Sequence, residues 1–129
     1  MKKLKDDLLT NKYTEVYHEK EFTNNAPHRF EVRSAVEPGI VIYNPNLDDF
    51  LVLNEIKFQE GPIKEAGVNG VMNEDLISIV KCRLEHFNQT EFRCKENSMA
   101  ITKLEEALLW LRKRTMGRED RGVEGTNEV

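Results

Sequence analysis

Apolar and polar positions alternate in the first half of the chain and repeat at helical spacing in the second. Residues 29–34 alternate along Arg-Phe-Glu-Val-Arg-Ser, and two apolar runs follow at residues 39–43 and 50–58, separated by Pro, Gly and Asn. Short runs of this kind between turn residues are typical of strands joined by hairpins. The pattern predicts a small antiparallel sheet over residues 29–58.

Two long helices are predicted after a loop. Residues 59–72 follow neither period and contain three glycines and a proline, so they predict a loop. The first helix is expected to begin at Asn73, a good N-cap residue followed by two carboxylates, and apolar residues continue at helical spacing as far as Phe87. After a break at residues 88–91, a second helix is predicted from about Lys95 to Arg121.

The predicted fold is therefore α+β, a small antiparallel sheet followed by a long two-helix hairpin that dimerises through the helices. The second helix carries one narrow apolar stripe, formed by Ile101, Leu104, Leu108 and Leu111. Such a stripe resembles a coiled-coil seam and leaves Ile79, Leu109 and Trp110 uncovered in one chain. A second copy of the chain is expected to cover them.

The two ends of the chain carry no regular pattern. Residues 1–28 are polar, with a break at Asn24-Asn25-Ala26-Pro27, and predict an N-terminal arm or short helix. Residues 122–129 predict a C-terminal tail. One folded domain is expected over residues 29–129, because the chain is near the usual size of a single domain.

Charge and cysteine usage limit the class of partner. The 19 basic and 23 acidic residues give a net charge of -4, which argues against DNA, RNA or a membrane surface as the partner. Asp6, Asp7 and Lys12 interrupt the apolar run that a secretory leader needs. We expect a cytoplasmic protein whose two cysteines are not joined in a disulfide.

Three arginines near the end of the second helix are the most unusual feature of the sequence. Arg114, Arg118 and Arg121 follow at spacings of four and three residues and share one helix face. Neither Arg114 nor Arg118 has a carboxylate three or four residues away. An external anion is a reasonable partner, because guanidinium groups bind phosphate oxygens in pairs and stack on purines. The alternative is that these cations interact with the helix dipole and the last free carbonyl groups.

Phe87 and Asn97 lie at the other end of the predicted hairpin. Arg114 and Arg118 follow Asn97 after about 17 to 21 residues, which is roughly 25 to 30 Å along a helix. One chain therefore cannot close a pocket from all four residues. An antiparallel second hairpin would bring the arginine end of one chain to the Phe87 end of the other and give two equivalent pockets in a two-fold dimer. For Phe87 alone, packing in a core is the alternative.

The sequence offers no complete set of residues for catalysis or for a metal. Cys82, His86 and Cys94 supply at most three ligands, whereas a structural zinc site needs four. Nothing in the sequence orients His86 as the base for a cysteine nucleophile. Phosphate-loop, hydrolase and dinucleotide-binding motifs do not occur. We expect a binding protein that is not an enzyme and has no cofactor.

Several longer segments resemble one family. Residues 55–80 read EIKFQEGPIKEAGVNGVMNEDLISIV, residues 92–97 read FRCKEN, residues 104–108 read LEEAL, and residues 114–126 read RTMGREDRGVEGT. Together they resemble the phage Thoeris anti-defence proteins of the first type, over about residues 29–126. The hairpin from Asn73 onward also resembles the shorter phage anti-CBASS sponge, and the sheet before it favours the Thoeris family. Residues 1–28 are expected to depart from the family pattern.

The resemblance implies a sponge that reversibly takes up cyclic ADP-ribose isomers made by the TIR proteins of infected bacteria, in the host cytoplasm and without cleaving them. It implies a homodimer or a hexamer, and in some hexamers a second kind of site for cyclic di- or trinucleotides. It places an adenine against Phe87, a polar contact at Asn97, and phosphate or ribose contacts at Arg114 and Arg118. Arg121, on the same stripe, is a further candidate for ligand binding.

Three alternatives to this function stay open. The chain could be a sponge for CBASS cyclic oligonucleotides only, which would use the same kind of pocket. It could be a phosphodiesterase that degrades the signal, although no base, nucleophile or metal set is visible. It could be a protein-interaction module that binds a host protein through Trp110 and Leu109.

Overall fold

The strands of the computed structural model form one antiparallel sheet in the first of two compact units, Met1–Glu60. The structure describes residues 1–35 and 52–129. The described strands lie in the order β1-β2-β3-β4, with β1 at Lys2–Lys3, β2 at Thr14–His18, β3 at Arg29–Ser34 and β4 at Val52–Lys57. The register sets Val16 opposite Val32 and Phe30 opposite Ile56. These four apolar side chains therefore share one face of the sheet, together with His18 and Asn54, because side chains alternate between faces along each strand.

The α+β class and the small antiparallel sheet are confirmed, with strands at Arg29–Ser34 and Val52–Lys57. The predicted strand at residues 39–43 lies outside the described residues. The prediction of an arm or short helix over residues 1–28 is wrong, because β1 and β2 are strands of the sheet and β2 pairs with β3 along its whole length.

Polar contacts hold β2 in the sheet. The Tyr17 hydroxyl donates a hydrogen bond to the Glu15 carboxylate over 2.6 Å, and the Arg33 guanidinium on β3 lies 4.0 Å from the centroid of the Tyr17 ring. Arg33 also forms an ion pair with Glu31 over 2.7 Å. Of these three contacts, the one between Arg33 and Tyr17 joins neighbouring strands and stabilises their pairing, and the other two lie within one strand. Because most residues of β2 are polar, the strand lacks the alternation of apolar and polar side chains by which a strand is recognised in a sequence.

The second unit, Gly61–Val129, contains the helical hairpin. Its helices are α1 at Ile63–Ala66, α2 at Asn73–Phe87 and α3 at Lys95–Asp120, and α2 packs against α3. Both long helices and the break between them are confirmed. Helix α1 is a single turn inside the segment predicted as a loop, residues 59–72. None of the described helices has both the length and the apolar composition needed to cross a membrane.

The cap of α2 differs from the prediction. Met72, and not Asn73, is the N-cap residue, and its backbone N–H donates to the Asp75 carboxylate over 2.8 Å. A carboxylate at the third helical position can reach back to this N–H, so Asp75 takes the capping role. At the start of α3, the Sγ of Cys94 accepts a hydrogen bond from the backbone N–H of Asn97 over 3.4 Å.

Apolar side chains remain largely uncovered on the hairpin. Among the described residues no hydrophobic side chain is buried. Ile79 is 63% exposed, Leu109 70% and Trp110 62%, in agreement with the narrow apolar stripe in the sequence. Large apolar patches on a protein surface mark places where another molecule binds. Dimerisation through the helices stays a prediction, and these exposed side chains are what motivate it.

Candidate functional site

Phe87 ends α2 and presents its ring at one end of the hairpin. The residue is 41% exposed, so a large part of its ring is accessible within the described chain. One helical turn earlier, the Arg83 guanidinium lies 5.3 Å from the centroid of the Phe87 ring. A cation at this distance interacts with one face of the ring. A flat group such as a nucleobase would stack on the other face.

Asn97 lies in the first turn of α3 and is half-buried. Its backbone N–H donates to the Sγ of Cys94, which fixes the first turn of the helix. Among the described residues its side-chain amide has no hydrogen-bond partner, so the amide is available to a ligand. The structure thus confirms that Phe87 and Asn97 lie where α2 passes into α3, at the same end of the hairpin.

Arg114 is an exposed cation on α3. Within residues 1–35 and 52–129 it has no ion pair, hydrogen bond or ring contact. Like-charge neighbours at four-residue spacing, here Arg114 and Arg118, destabilise a helix slightly unless an anion lies near them. Arg114 therefore remains the member of the arginine stripe that an external anion would satisfy.

Arg118 and Arg121 differ from Arg114, because the C-terminal tail satisfies them. The Nη2 of Arg118 donates to the carbonyl oxygens of Val123, Thr126 and Glu128 over 3.0, 3.2 and 2.9 Å. The Nη1 of Arg121 donates to the carbonyl oxygen of Val129 over 3.0 Å. Arg118 has no carboxylate three or four residues away, as the sequence shows, but the tail carbonyl groups satisfy it without an external anion. The contacts of Arg118 and Arg121 are close to the alternative of cations that bind free carbonyl groups, except that these carbonyl groups belong to the tail and not to the last turn of α3.

Gly122 is the reason that the tail reaches the arginines. Its φ of 72° lies in the left-handed region, which glycine adopts without steric cost. The backbone N–H of Gly122 donates to Glu119 and that of Val123 donates to Arg118, so the chain turns back over the last turn of α3. Further along, the carbonyl oxygen of Gly125 accepts a hydrogen bond from the backbone N–H of Lys64 over 2.9 Å. The tail is thus tied both to α3 and to α1.

The Phe87 end and the arginine end are far apart in one chain. Helix α3 is continuous from Lys95 to Asp120, and a helix rises about 1.5 Å per residue. Asn97 and Arg114 are therefore separated by about 25 Å along the axis, and Asn97 and Arg118 by about 31 Å. The structure brings Phe87 and Asn97 together, and separately Arg114, Arg118 and Arg121. The residues of the predicted site are thus divided between the two ends.

A groove of ≈ 650 Å³ lies on the hairpin and is lined by residues of both α2 and α3. Leu108, Leu109 and Leu111 of α3 form its apolar floor, and its other lining residues are polar or charged: Glu74, Lys81, Glu105, Arg112 and Thr115. At its edge, the Nζ of Lys81 lies 2.9 Å from a Glu85 oxygen and 3.6 Å from a Glu105 oxygen. The hydrogen bond to Glu85 raises the pKa of Lys81. An apolar floor with ion pairs at the rim is the usual composition of a protein–protein contact.

No metal centre is visible in the described part of the chain, in which no three or more His, Cys, Asp or Glu side chains cluster. The Sγ of Cys82 lies 4.0 Å from the Nδ1 of His86, and both cysteines are free and exposed. His86 Nδ1 also lies 3.2 Å from the carbonyl oxygen of Cys82, the usual contact of a helical side chain with the preceding turn.

Sequence reasoning missed two parts of this arrangement, Arg83 and the tail carbonyl groups. Arg83 had a readable signal, because a residue four positions before Phe87 lies on the same helix face. For the tail, the sequence offered one weak indication, because a glycine such as Gly122 just after a helix often reverses the chain direction. The carbonyl oxygens leave no signal in the side chains, since every residue carries one.

Two comparisons with known proteins bear on these residues. Residues 52–116 match a family model described as Acb2/Tad1, hairpin domain, and this range contains α2 and most of α3. The chain is also similar to a protein of Bacillus phage SBSphiJ7 named Thoeris anti-defense 1, with 49% identity over an alignment 141 positions long that covers 99% of each chain. The expectation that residues 1–28 depart from the family is wrong for this relative, because the match includes them.

Proposed function

The chain belongs to the Acb2/Tad1 hairpin-domain family, and on this premise we propose that it is a phage anti-defence protein that binds a nucleotide signal and withholds it from the sensor. The proposed ligand is a cyclic ADP-ribose isomer made by TIR proteins of the infected bacterium. The ligand is bound and released without covalent change. The proposed place of action is the cytoplasm of the host cell.

The observation that supports this proposal is the pair of chemically different half-sites on one hairpin. Phe87 offers an exposed aromatic face, and stacking of a base on such a ring contributes about 1 to 3 kcal/mol. Arg114 offers an exposed guanidinium, and a charge-assisted hydrogen bond contributes about 1.5 to 3 kcal/mol. A cyclic ADP-ribose isomer carries both groups that these residues bind, a purine and two phosphates.

A pocket made from both half-sites requires two chains. A separation of about 25 Å along α3 is too large for one small ligand, whereas an antiparallel partner sets the arginine end of one chain beside Phe87 and Asn97 of the other. The apolar groove lined by Leu108, Leu109 and Leu111 is the proposed contact surface. The proposed unit is a two-fold homodimer, and a hexamer would be a trimer of such dimers.

The proposed ligand contacts are of the kind that bind rather than react. Phe87 stacks on adenine, Asn97 makes a polar contact with its side-chain amide, and Arg114 and Arg118 contact phosphate or ribose oxygens. The side chains of Phe87 and Asn97 carry no acidic or basic group, and a guanidinium group donates hydrogen bonds and offers no acceptor for a proton, so none of these residues is a general base. Sequestration without cleavage follows from this choice of residues.

Mass spectrometry of the ligand after heat denaturation of the complex tests the proposal. The chain is mixed with a cyclic ADP-ribose isomer, separated from free ligand, and heated. Recovery of intact ligand in stoichiometric amount is expected. A hydrolysed product would indicate a phosphodiesterase, and no recovered ligand would indicate a protein-interaction module. Cyclic di- and trinucleotides, offered in the same assay, test whether the chain is a sponge for CBASS signals instead or as well.

A further inference from the structure

The side chain of Asn88 joins the two sides of the turn between α2 and α3. Its Nδ2 donates to the hydroxyl oxygen of Ser98 over 3.0 Å, and its Oδ1 accepts from the backbone N–H of Cys94 over 3.3 Å. These partners lie ten and six residues further along the chain. Both halves of the amide are therefore used to join the end of α2 to the start of α3.

Asn97 lies inside the segment that Asn88 holds. The backbone N–H of Asn97 donates to Cys94 Sγ, while the Ser98 hydroxyl and backbone N–H both donate to the Cys94 carbonyl oxygen over 3.3 and 3.2 Å. Asn88 thus bonds to the residue three positions before Asn97 and to the residue after it. On the other side, Asn88 directly follows Phe87 and donates its backbone N–H to the Leu84 carbonyl oxygen over 3.0 Å.

Packing contributes little to the position of this turn. Phe87 is 41% exposed and Phe92 68%, and Cys94 is exposed as well. Local hydrogen bonds complete the turn, with the Thr90 hydroxyl donating to the Phe87 carbonyl oxygen over 2.6 Å. Where burial is slight, the relative position of two side chains depends on the polar contacts between their backbones.

From this geometry we propose that Asn88 is a positioning residue of the ligand site, which fixes the distance and angle between the Phe87 ring and the Asn97 amide before the signal binds. The inference rests on the proposed function, because it assigns a task to Asn88 in that same site. A site that is already ordered does not lose conformational freedom on binding, and its affinity is higher for that reason.

The first test compares Asn88→Ala with Gln89→Ala by calorimetry with a cyclic ADP-ribose isomer. Gln89 is the matched control, because it is the next residue in the same turn and its side chain has no hydrogen bond within the described residues. Asn88→Ala is expected to weaken binding about tenfold, since two hydrogen bonds are lost, and Gln89→Ala to leave it unchanged. Equal affinity of Asn88→Ala and the wild type would overturn the inference. Failure of the wild type to bind any isomer would instead overturn the proposed function.

The second test is a double-variant cycle, which separates positioning from a general loss of stability. If Asn88 acts through the ring of Phe87, adding Asn88→Ala to Phe87→Ala costs less than it does in the wild type. If the losses of binding free energy in the two single variants add fully in the double variant, Asn88 does not act through the Phe87 ring and the inference is overturned. Should Asn88→Ala melt without a cooperative transition, Ser98→Ala replaces it, because this variant removes one of the two bonds. It is expected to weaken binding about two- to tenfold, and unchanged affinity would contradict the inference.

Discussion

The Nη2 of Arg118 donates a hydrogen bond to the carbonyl oxygen of Glu128 over 2.9 Å. An arginine that the sequence predicts to bind an external anion is therefore hydrogen-bonded to a residue of its own chain, ten positions further along. The carbonyl oxygens of Val123 and Thr126 accept hydrogen bonds from the same nitrogen. A guanidinium group can bind an anion in a bidentate way through Nε and Nη2 or through Nη1 and Nη2. Because the tail already uses Nη2 of Arg118, an anion receives only single hydrogen bonds from its Nε or Nη1 in this geometry. Arg114 keeps its whole guanidinium free of contacts within residues 1–35 and 52–129. The two arginines are therefore expected to behave differently when they are substituted.

Arg114→Ala is expected to weaken binding of a cyclic ADP-ribose isomer by about 1.5 to 3 kcal/mol, which is roughly ten- to 150-fold, without lowering the melting temperature. The reason is that Arg114 has no partner to lose within the described chain. Arg118→Ala is expected to weaken binding and also to free the tail. Calorimetry measures the first effect, and faster amide hydrogen exchange at residues 123–129 measures the second.

Lys103→Ala is the charge control for these two variants, because it removes a cation from the middle of α3 whose one ion pair among the described residues is with Glu106. Its affinity should match that of the wild type. If Arg114→Ala binds as tightly as this control does, Arg114 is not a ligand contact. The variant with both Arg114→Ala and Arg118→Ala should lose about two to four decades of affinity and show the same tail exchange as Arg118→Ala alone.

Lysine substitutions should separate charge from geometry. Arg114→Lys keeps the positive charge but loses the paired N–H groups that contact two phosphate oxygens at once. Its affinity is expected to lie between those of the wild type and Arg114→Ala. Arg118→Lys is expected to lose less affinity, because Nη2 of Arg118 is already used by the tail. Isothermal titration of both variants checks the order, which would be reversed if Arg118 provided the bidentate contact.

Phe87→Ala should weaken binding by about 1 to 3 kcal/mol through the loss of base stacking while the protein stays folded. A core phenylalanine would behave otherwise, since its truncation costs about 3 to 5 kcal/mol of folding stability. The exposure of Phe87 favours the first outcome. Calorimetry and thermal melting of the same variant decide between them: a sharp fall in melting temperature would assign Phe87 to packing.

The solution mass should be that of a dimer or a multiple of dimers, because the described chain buries no apolar side chain and the two half-sites lie at opposite ends of α3. Light scattering at micromolar concentration measures it directly. A mass equal to one chain of 15.0 kDa would contradict both the dimer and the shared pocket. Leu109→Glu, which places a charge in the groove, is expected to lower the mass, since a buried unpaired charge opposes association.

Acid should destabilise the sheet unit in a way that depends on Tyr17. The hydrogen bond from Tyr17, followed by that from Lys3, lowers the pKa of Glu15 from its ordinary value of 4.5. A carboxyl group with a lowered pKa in the folded state stabilises that state above its unfolded pKa, and the effect is lost as the pH falls through the folded pKa. The melting temperature should therefore decrease when the pH is lowered below about 4.5. The decrease should be smaller in Tyr17→Phe than in the wild type. An identical fall in both proteins would show that the Tyr17 hydrogen bond does not contribute to the acid sensitivity.

The hairpin was predictable because its apolar residues repeat at helical spacing and because Phe87 and Lys95 bracket a clear break. Strand β2 was not, because Arg33 on β3 contacts Tyr17 and Lys3 on β1 pairs with Glu15, and no local pattern records such contacts between strands. Strand pairing depends on residues that are distant in sequence, whereas helical spacing is local.

The candidate site divides in the same way. Arg114 could be proposed from its residue type and spacing, and Phe87 from its place at the end of α2. The engagement of Arg118 by the carbonyl oxygen of Thr126 could not, because it depends on the path of the backbone after Gly122. Nor could the role of Asn88, which was interpreted only as part of a helix break and is the residue that bonds across it.

The scarcity of buried apolar side chains in residues 1–35 and 52–129 has a consequence for how the protein accumulates in a cell. In the proposed assembly, folding and association are one equilibrium, so the folded fraction rises with concentration. Chains made first and in small number would remain open to proteases, and later chains would be protected by their partners. Binding capacity would then increase more steeply than the rate of synthesis, as a threshold in expression rather than a proportional response.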